Sequence, residues 1–246
     1  MKLDKFKKYG DLNTHDIFKF FAILFMIIDH IGFYLFDIAE FKVIGRICLP
    51  ILAVIYGYHF KNKVDKNLII WGIPIIFIDL FIKKSIFPLN ILFSFAISGI
   101  VIKYYNLNKY KLKEWDKKII FPILLILHFY LSHLFIYGTF IILFMICGFL
   151  FNKDENKNRY VITFGIFWYY LIEQSMRFNF NLIYIIIFAI LLFYVYSKLK
   201  TYKLKYYTKP INTKLKNTII FIGRYSMEVY VVHLAIFKLV GFWIKK

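Results

Sequence analysis

Four ionisable residues fall inside the first two apolar stretches of the chain: Lys19, Asp29, His30 and Arg46. Within a bilayer such groups are unfavourable unless they are paired or face a wet cavity, so four together imply a polar pocket between helices. Lys19 and His30 are eleven positions apart. On a helix that is close to three turns, which puts both on one face, about 16 Å apart along the axis. One stripe thus carries a cation near one membrane surface and a titratable imidazole in the opposite half of the bilayer. Asp29 adjoins His30, but neighbouring helical residues do not face each other. Its expected partner is Arg46, which lies across the short connection at residues 37–41. Pairing reduces the penalty on both charges.

Arg224, Glu228 and His233 recur in the last apolar stretch. Arg224 and Glu228 stand at i, i+4 and are expected to pair along one face. His233 falls in the same half of the bilayer as His30, with Tyr230 three residues before it on the same side. Two histidines at matching depth mark a shared site. Asn90, in Pro88-Leu89-Asn90-Ile91-Leu92-Phe93, is a buried amide that either bonds nearby backbone or holds substrate. His128 and His133 flank an expected turn and read as exposed or packed rather than functional, and His59, which ends a span beside Lys61, reads as interfacial. Cys48 and Cys147 sit in separate apolar runs and read as buried free thiols, with no disulfide framework and no metal-ligand spacing.

The elements that must position these residues are membrane helices. The chain has 246 residues, of which 61% are hydrophobic and 22% aromatic. A soluble domain has about 45–50% apolar residues. Spans need about 20 mainly apolar residues, and on that rule they fall near 17–37, 41–60, 67–83, 86–105, 118–132, 134–151, 160–176, 179–197 and 218–243. The expectation is an all-α, polytopic bundle of about nine transmembrane helices forming a single membrane domain over 1–246. Thr14 or Asp16 is the expected cap of the first helix. The net charge of +19 follows topology rather than nucleic-acid binding. Of 33 Lys and Arg, 23 fall in alternate connecting segments, the pattern of cytoplasmic loops. That places the N-terminus on the cytoplasmic side of an inner membrane. The two longest such loops, 103–118 and 198–216, are basic and tyrosine-rich, suited to anionic lipid heads or to a phosphorylated ligand.

The chain resembles the TraX family, whose founding member N-acetylates the pilin subunit of a conjugative pilus. The resemblance rests on Lys19 with Met26-Ile27-Ile28-Asp29-His30-Ile31-Gly32, then Gly45-Arg46-Ile47-Cys48-Leu49-Pro50, Leu89-Asn90-Ile91-Leu92-Phe93 and Tyr230-Val231-Val232-His233-Leu234. These pieces stand in the family's order across nearly the whole chain. The family is similar in turn to the acyltransferase-3 proteins, which carry an arginine, ten residues and then a histidine in the first span. Here Lys19 takes the arginine's place, a point charge where arginine would grip phosphate with two hydrogen bonds. Ile136 stands where the family often has an acid before a Tyr-Gly pair, here Tyr137-Gly138.

The resemblance implies an acyl-CoA donor, specifically acetyl-CoA, and an acceptor such as a protein N-terminal amine or a glycan hydroxyl, with no metal. It implies that Lys19 and Arg46 hold the donor and that His30 is a general base or a transient acyl carrier. Asp29 supports the site, His233 and Tyr230 contact acceptor or thioester, and Asn90, Arg224 and Glu228 line the substrate region. A second class is a proton-coupled transporter or flippase, with Asp29, His30 and Glu228 as a relay. Broken half-helices and internal symmetry would mark it, and the sequence displays neither. A third class is a haem or quinone protein with His30 and His233 as axial ligands.

Overall fold

The computed structural model describes residues 11–82, 85–108, 114–153, 158–207 and 212–244. It is all-helical, and among the described residues strand-like pairing is limited to two isolated bridges, Asn13 with Tyr206 and Leu89 with Phe135. The first helix, α1 (Thr14–His30), continues as a wider π-helical stretch over Ile31–Phe36. Then come α2 (Ala39–Gly45), α3 (Cys48–Tyr58), α4 (Lys66–Phe81) and α5 (Ile91–Asn108). They are followed by α6 (Glu114–Leu131), α7 (Phe140–Lys153), α8 (Asn158–Arg177) and α9 (Leu182–Lys200). The chain ends in α10 (Thr213–Arg224) and α11 (Ser226–Ile244).

Each of the nine apolar segments is helical over most of its length, with informative exceptions. Segment 41–60 is broken between α2 and α3 at Arg46 and Ile47. Segment 134–151 becomes helical only at Phe140, because Tyr137 and Gly138 turn the chain with φ of 67° and 50°. Segment 218–243 splits at Tyr225 into α10 and α11. Among the described residues, three helical stretches are long and apolar enough to cross a membrane: Thr14–Phe36, Leu182–Lys200 and Ser226–Ile244. Large apolar side chains also face outward around the molecule, among them Phe36, Phe77, Phe129, Val161, Leu182 and Trp243, each at least 66% exposed. A belt of that kind is stable against lipid and would drive aggregation in water.

Helix starts are fixed by short polar side chains. Backbone groups in hydrocarbon must be satisfied within the protein. Asn13, not Thr14 or Asp16, caps α1, its Oδ1 accepting from the Asp16 amide at 2.9 Å. The Thr14 hydroxyl instead donates to the Lys203 carbonyl at 2.8 Å. Asp65, Asn90, Asn181 and Asn212 cap α4, α5, α9 and α10 in the same manner.

The tightest helix pair is α3 with α7. A Cβ on Gly57 would lie 2.0 Å from the Met145 carbonyl oxygen, and one on Gly148 would lie 1.9 Å from that of Val54. The two backbones touch because neither glycine has a side chain, the small-residue packing typical of membrane helices. The obstructing atoms are backbone, so no side chain can rotate away. Gly148→Ala is expected to destabilise the protein by about 1–3 kcal/mol or more, the overpacking range, seen as a lower midpoint of thermal unfolding in detergent.

Candidate active site

The break between α2 and α3 builds one half of the site. Pro50 sits in the first turn of α3 and has no amide hydrogen, so the carbonyl of Arg46, four residues earlier, receives no ladder bond from it. Tyr170 on α8 donates its hydroxyl to that carbonyl at 2.9 Å. Tyr170 is fully buried among Phe140, Phe144 and Phe188. Tyr170→Phe is expected to lose about 1–3 kcal/mol by stranding a buried carbonyl, measured by thermal unfolding against wild type.

The Arg46 side chain then turns toward α1. Its Nε lies 3.2 Å from Asp29 Oδ1, its Nη1 donates to the Tyr137 hydroxyl at 2.6 Å, and its guanidinium stacks 4.3 Å from the Phe178 ring centre. Both partners of the ion pair are buried, Arg46 at 8% and Asp29 at 3% exposure. The close approach depends on Gly45, since a Cβ there would fall 2.2 Å from Asp29 Cβ. The pairing expected from sequence is therefore present.

Histidines 30 and 233 form the other half. His30 Nδ1 and His233 Nε2 are 2.9 Å apart, and the rings lie nearly parallel. His233 Nδ1 is 2.7 Å from the Val229 carbonyl oxygen. These partners assign the tautomers. A carbonyl only accepts, so His233 Nδ1 carries the hydrogen. In the neutral ring its Nε2 then accepts, and His30 Nδ1 donates to it. The remaining His30 nitrogen, Nε2, keeps its lone pair. Two nitrogens flanking one metal ion would stand about 4 Å apart, so the direct hydrogen bond removes the axial-ligand arrangement from this pair.

His30, Asp29, Arg46, Asn90 and Tyr230 all line one cavity of about 290 Å³. His233 stands behind His30 rather than on the wall. Asn90 is tied to backbone, donating to the Gly72 carbonyl at 2.9 Å while its oxygen caps α5. Tyr230 packs edge-on against His233, with ring centres 5.7 Å apart. Arg224 and Glu228 depart from expectation. The helix breaks at Tyr225 between them, so the i, i+4 geometry is lost, and Arg224 reaches Asp16 at 3.6 Å. Glu228 Oε2 is buried without a hydrogen bond.

Sequence reasoning missed several groups beside the site. Lys238 on the cavity wall is held by both oxygens of Asp79 at 2.6 Å. An acid and a base in separate apolar spans was the available signal. Tyr34 and Arg177 also line the wall, and Glu173 sits 3.8 Å from Arg177 and 3.7 Å from buried His128.

Two more cavities follow, each sharing wall residues with the one before it. A narrow one of about 130 Å³ shares Met26, Ile91 and Tyr230 with it. Its other walls include Ile23, Leu68 and Phe95, with Lys19, Asp65 and Arg224 at the far end. Lys19, Tyr56 and Asp65 are shared in turn with a vestibule of about 540 Å³, walled by His15, His59, Lys61, Lys63 and Lys66. The basic mouth is thus built by the 59–66 connection. Tyr202 of the 198–216 loop reaches it, bonded to His59 at 2.7 Å. Residues 109–113 and 208–211 of the two basic loops, and the lysines before residue 11, lie outside the described residues.

A family model described as TraX protein matches residues 14–241. This chain belongs to the TraX family. The TraX match opens at the first residue of α1 and closes within α11, so it encloses the site and all three cavities. The uncharacterized protein RP591 of Rickettsia prowazekii (strain Madrid E) is 29% identical over 156 residues, which are 63% of this chain and 62% of that relative. The chain therefore spans less than two thirds of the length of the curated relative it matches. No solved structure matches this TraX-family chain.

Proposed function

We propose that the chain is an integral membrane acyltransferase of about nine spans. It moves an acetyl group from acetyl-CoA to an amine or hydroxyl acceptor, with its N-terminus on the cytoplasmic side of an inner membrane. The observation that carries this reading is His30. Its Nε2 lone pair is free while Nδ1 is tied to His233, and it sits at the end of the cavities that begin among lysines. On this reading the nucleotide of CoA occupies the vestibule, where Lys61, Lys63 and Lys66 meet its phosphates. The pantetheine arm extends past Lys19 through the apolar passage and brings the thioester to His30. About 16 Å of helix separates these two residues.

In the transfer step, His30 Nε2 takes the proton of the acceptor N–H or O–H as that atom attacks the thioester carbonyl. The carbon–sulfur bond breaks, and CoA leaves as a thiolate that recovers the proton from His30. His233 acts through His30: its accepting Nε2 orients the ring and stabilises the imidazolium, and the Val229 carbonyl anchors His233 in turn. Arg46, neutralised by Asp29 and bonded to Tyr137, contributes a fixed dipole beside the carbonyl.

The broken helix at Arg46 is a feature that the transporter reading also expects. Here Pro50 and Tyr170 account for it. The test is release of free thiol from acetyl-CoA by the purified protein with membrane extract as acceptor source, followed by mass spectrometry of the product. A new acetylated species with matching thiol release is the expected result. Solute uptake into proteoliposomes with no thiol release would overturn it in favour of a transporter.

A further inference from the structure

We infer that the acceptor carries an oxyanion group, a carboxylate or a phosphate, which Arg177 binds on the exposed part of the reaction-cavity wall. The inference rests on the acyltransferase reading above and adds a chemical class for the acceptor. Part of that wall is buried, at Asp29, Arg46 and Asn90, and part is exposed, at Phe33, Pro88 and Arg177. The Arg177 side chain is 44% exposed. Among the described residues, the wall carries three cationic side chains, Arg46, Arg177 and Lys238, and one carboxylate, Asp29. Asp29 is committed to Arg46 at 3.2 Å. The carboxylates beside the other two cations, Asp79 and Glu173, are not on the wall. The positive ends of these ion pairs therefore face the cavity, and a recess lined by one sign of charge draws in the opposite sign.

Lys238 is committed to Asp79, reaching both of its oxygens at 2.6 Å. Arg177 is held more loosely. Glu173 Oε1 lies 3.8 Å from Arg177 Nη1, beyond hydrogen-bond distance, and 3.7 Å from His128 Nε2. Glu173 Oε2 accepts from the side-chain amide of Gln174. The guanidinium is thus steadied by charge while its donors stay open to a ligand. Its planar fork suits a carboxylate or phosphate, which it grips with two parallel hydrogen bonds. A cation in the last turn of α8 also suits the helix dipole, which accounts for the charge but not for its place on this wall. The donor's phosphates are met elsewhere. Lys66 of the vestibule opens α4, and Pro88 of the cavity wall follows the end of α4. The 16 residues of α4 span about 24 Å, so the vestibule lysines and this wall lie toward opposite ends of that helix.

The test offers matched acceptors to the purified chain in detergent at saturating acetyl-CoA, read as thiol release and as acetylated product by mass spectrometry. β-Alanine and O-phosphoethanolamine are set against ethanolamine, and glycerol 3-phosphate against glycerol. Both nucleophiles and both oxyanions are then covered. Wild type is expected to use each anionic probe with a kcat/KM roughly tenfold above its match, the lower range for hydrogen bonds to a charged group. A larger preference for β-alanine assigns a carboxylate, and a larger one for the two phosphates assigns a phosphate. Arg177→Gln is expected to erase the preference mainly through KM, the mark of binding shared by ground and transition states, while ethanolamine and glycerol lose much less. Arg177→Lys keeps the charge without the fork and should recover part of the preference. Probes that are not acetylated are scored as inhibitors of thiol release driven by membrane extract, with the same order and the same dependence on Arg177 expected. Equal use, or equal inhibition, by all five probes overturns the inference and leaves the transferase standing. An equal loss on every probe in Arg177→Gln also overturns it and reduces the arginine to a helix-end cation. No thiol release with any probe or with extract removes the acyltransferase reading, and the acceptor claim falls with it. The wild-type comparison needs no variant, so a folding failure at position 177 still leaves the inference open to refutation.

Discussion

Replacing His30 by alanine is expected to cut acetyl-CoA turnover by about 10²–10⁴-fold, the contribution of a positioned general base, while the protein still folds. The expectation follows from the hydrogen-bond chain. Val229 fixes His233, His233 fixes His30, and this leaves His30 Nε2 to accept a proton in the cavity. The same chain predicts an asymmetry. His233→Ala removes the orienting partner but leaves the base, so its loss should be smaller than that of His30→Ala. His233→Gln retains an acceptor near His30 Nδ1 and should recover part of the rate. Thiol release and thermal unfolding, measured on all three variants, decide the matter. Full activity in folded His30→Ala protein would remove the general-base role.

The second large effect is on stability. Arg46→Ala is expected to lower it by about 3–5 kcal/mol, because Asp29 would be left as a buried charge without its partner. Asp29→Asn should cost a similar amount by isolating the guanidinium. Removing both together, as Asp29→Leu with Arg46→Met, should restore much of the loss, since a buried pair is often no better than well-packed apolar groups. Thermal unfolding of the four proteins in detergent completes the cycle. Turnover of the double variant then separates two roles. A stable but inactive protein places the pair in the chemistry, and a stable, active one makes it a clamp alone.

The Asp29–Arg46 contact was legible because both residues flank one short connection and have few other partners within reach. The His30–His233 contact was legible from depth alone. Tyr137 and Tyr170 were not, because a chain with 20 tyrosines gives no single one prominence. Their roles come from backbone events, a positive φ at Tyr137 and a carbonyl left bare by Pro50. Lys238 was visible only as one more basic residue, and its partner Asp79 lies 159 positions away. Arg224 and Glu228 misled because no proline marks the break at position 225. Gly223 was the clue, since its missing side chain lets α10 settle on the Asp16 backbone, where a Cβ would fall 2.6 Å from the carbonyl oxygen.

Positions 50 and 170 are bound to each other genetically as well as structurally. A chain that exchanges Pro50 for a residue with an amide hydrogen regains the missing bond inside its own backbone, and the phenol at 170 becomes dispensable. The harm done by Tyr170→Phe should therefore shrink in a Pro50→Ala background. A library randomised at both sites should return proline with tyrosine, or a non-proline with phenylalanine, and rarely proline with phenylalanine.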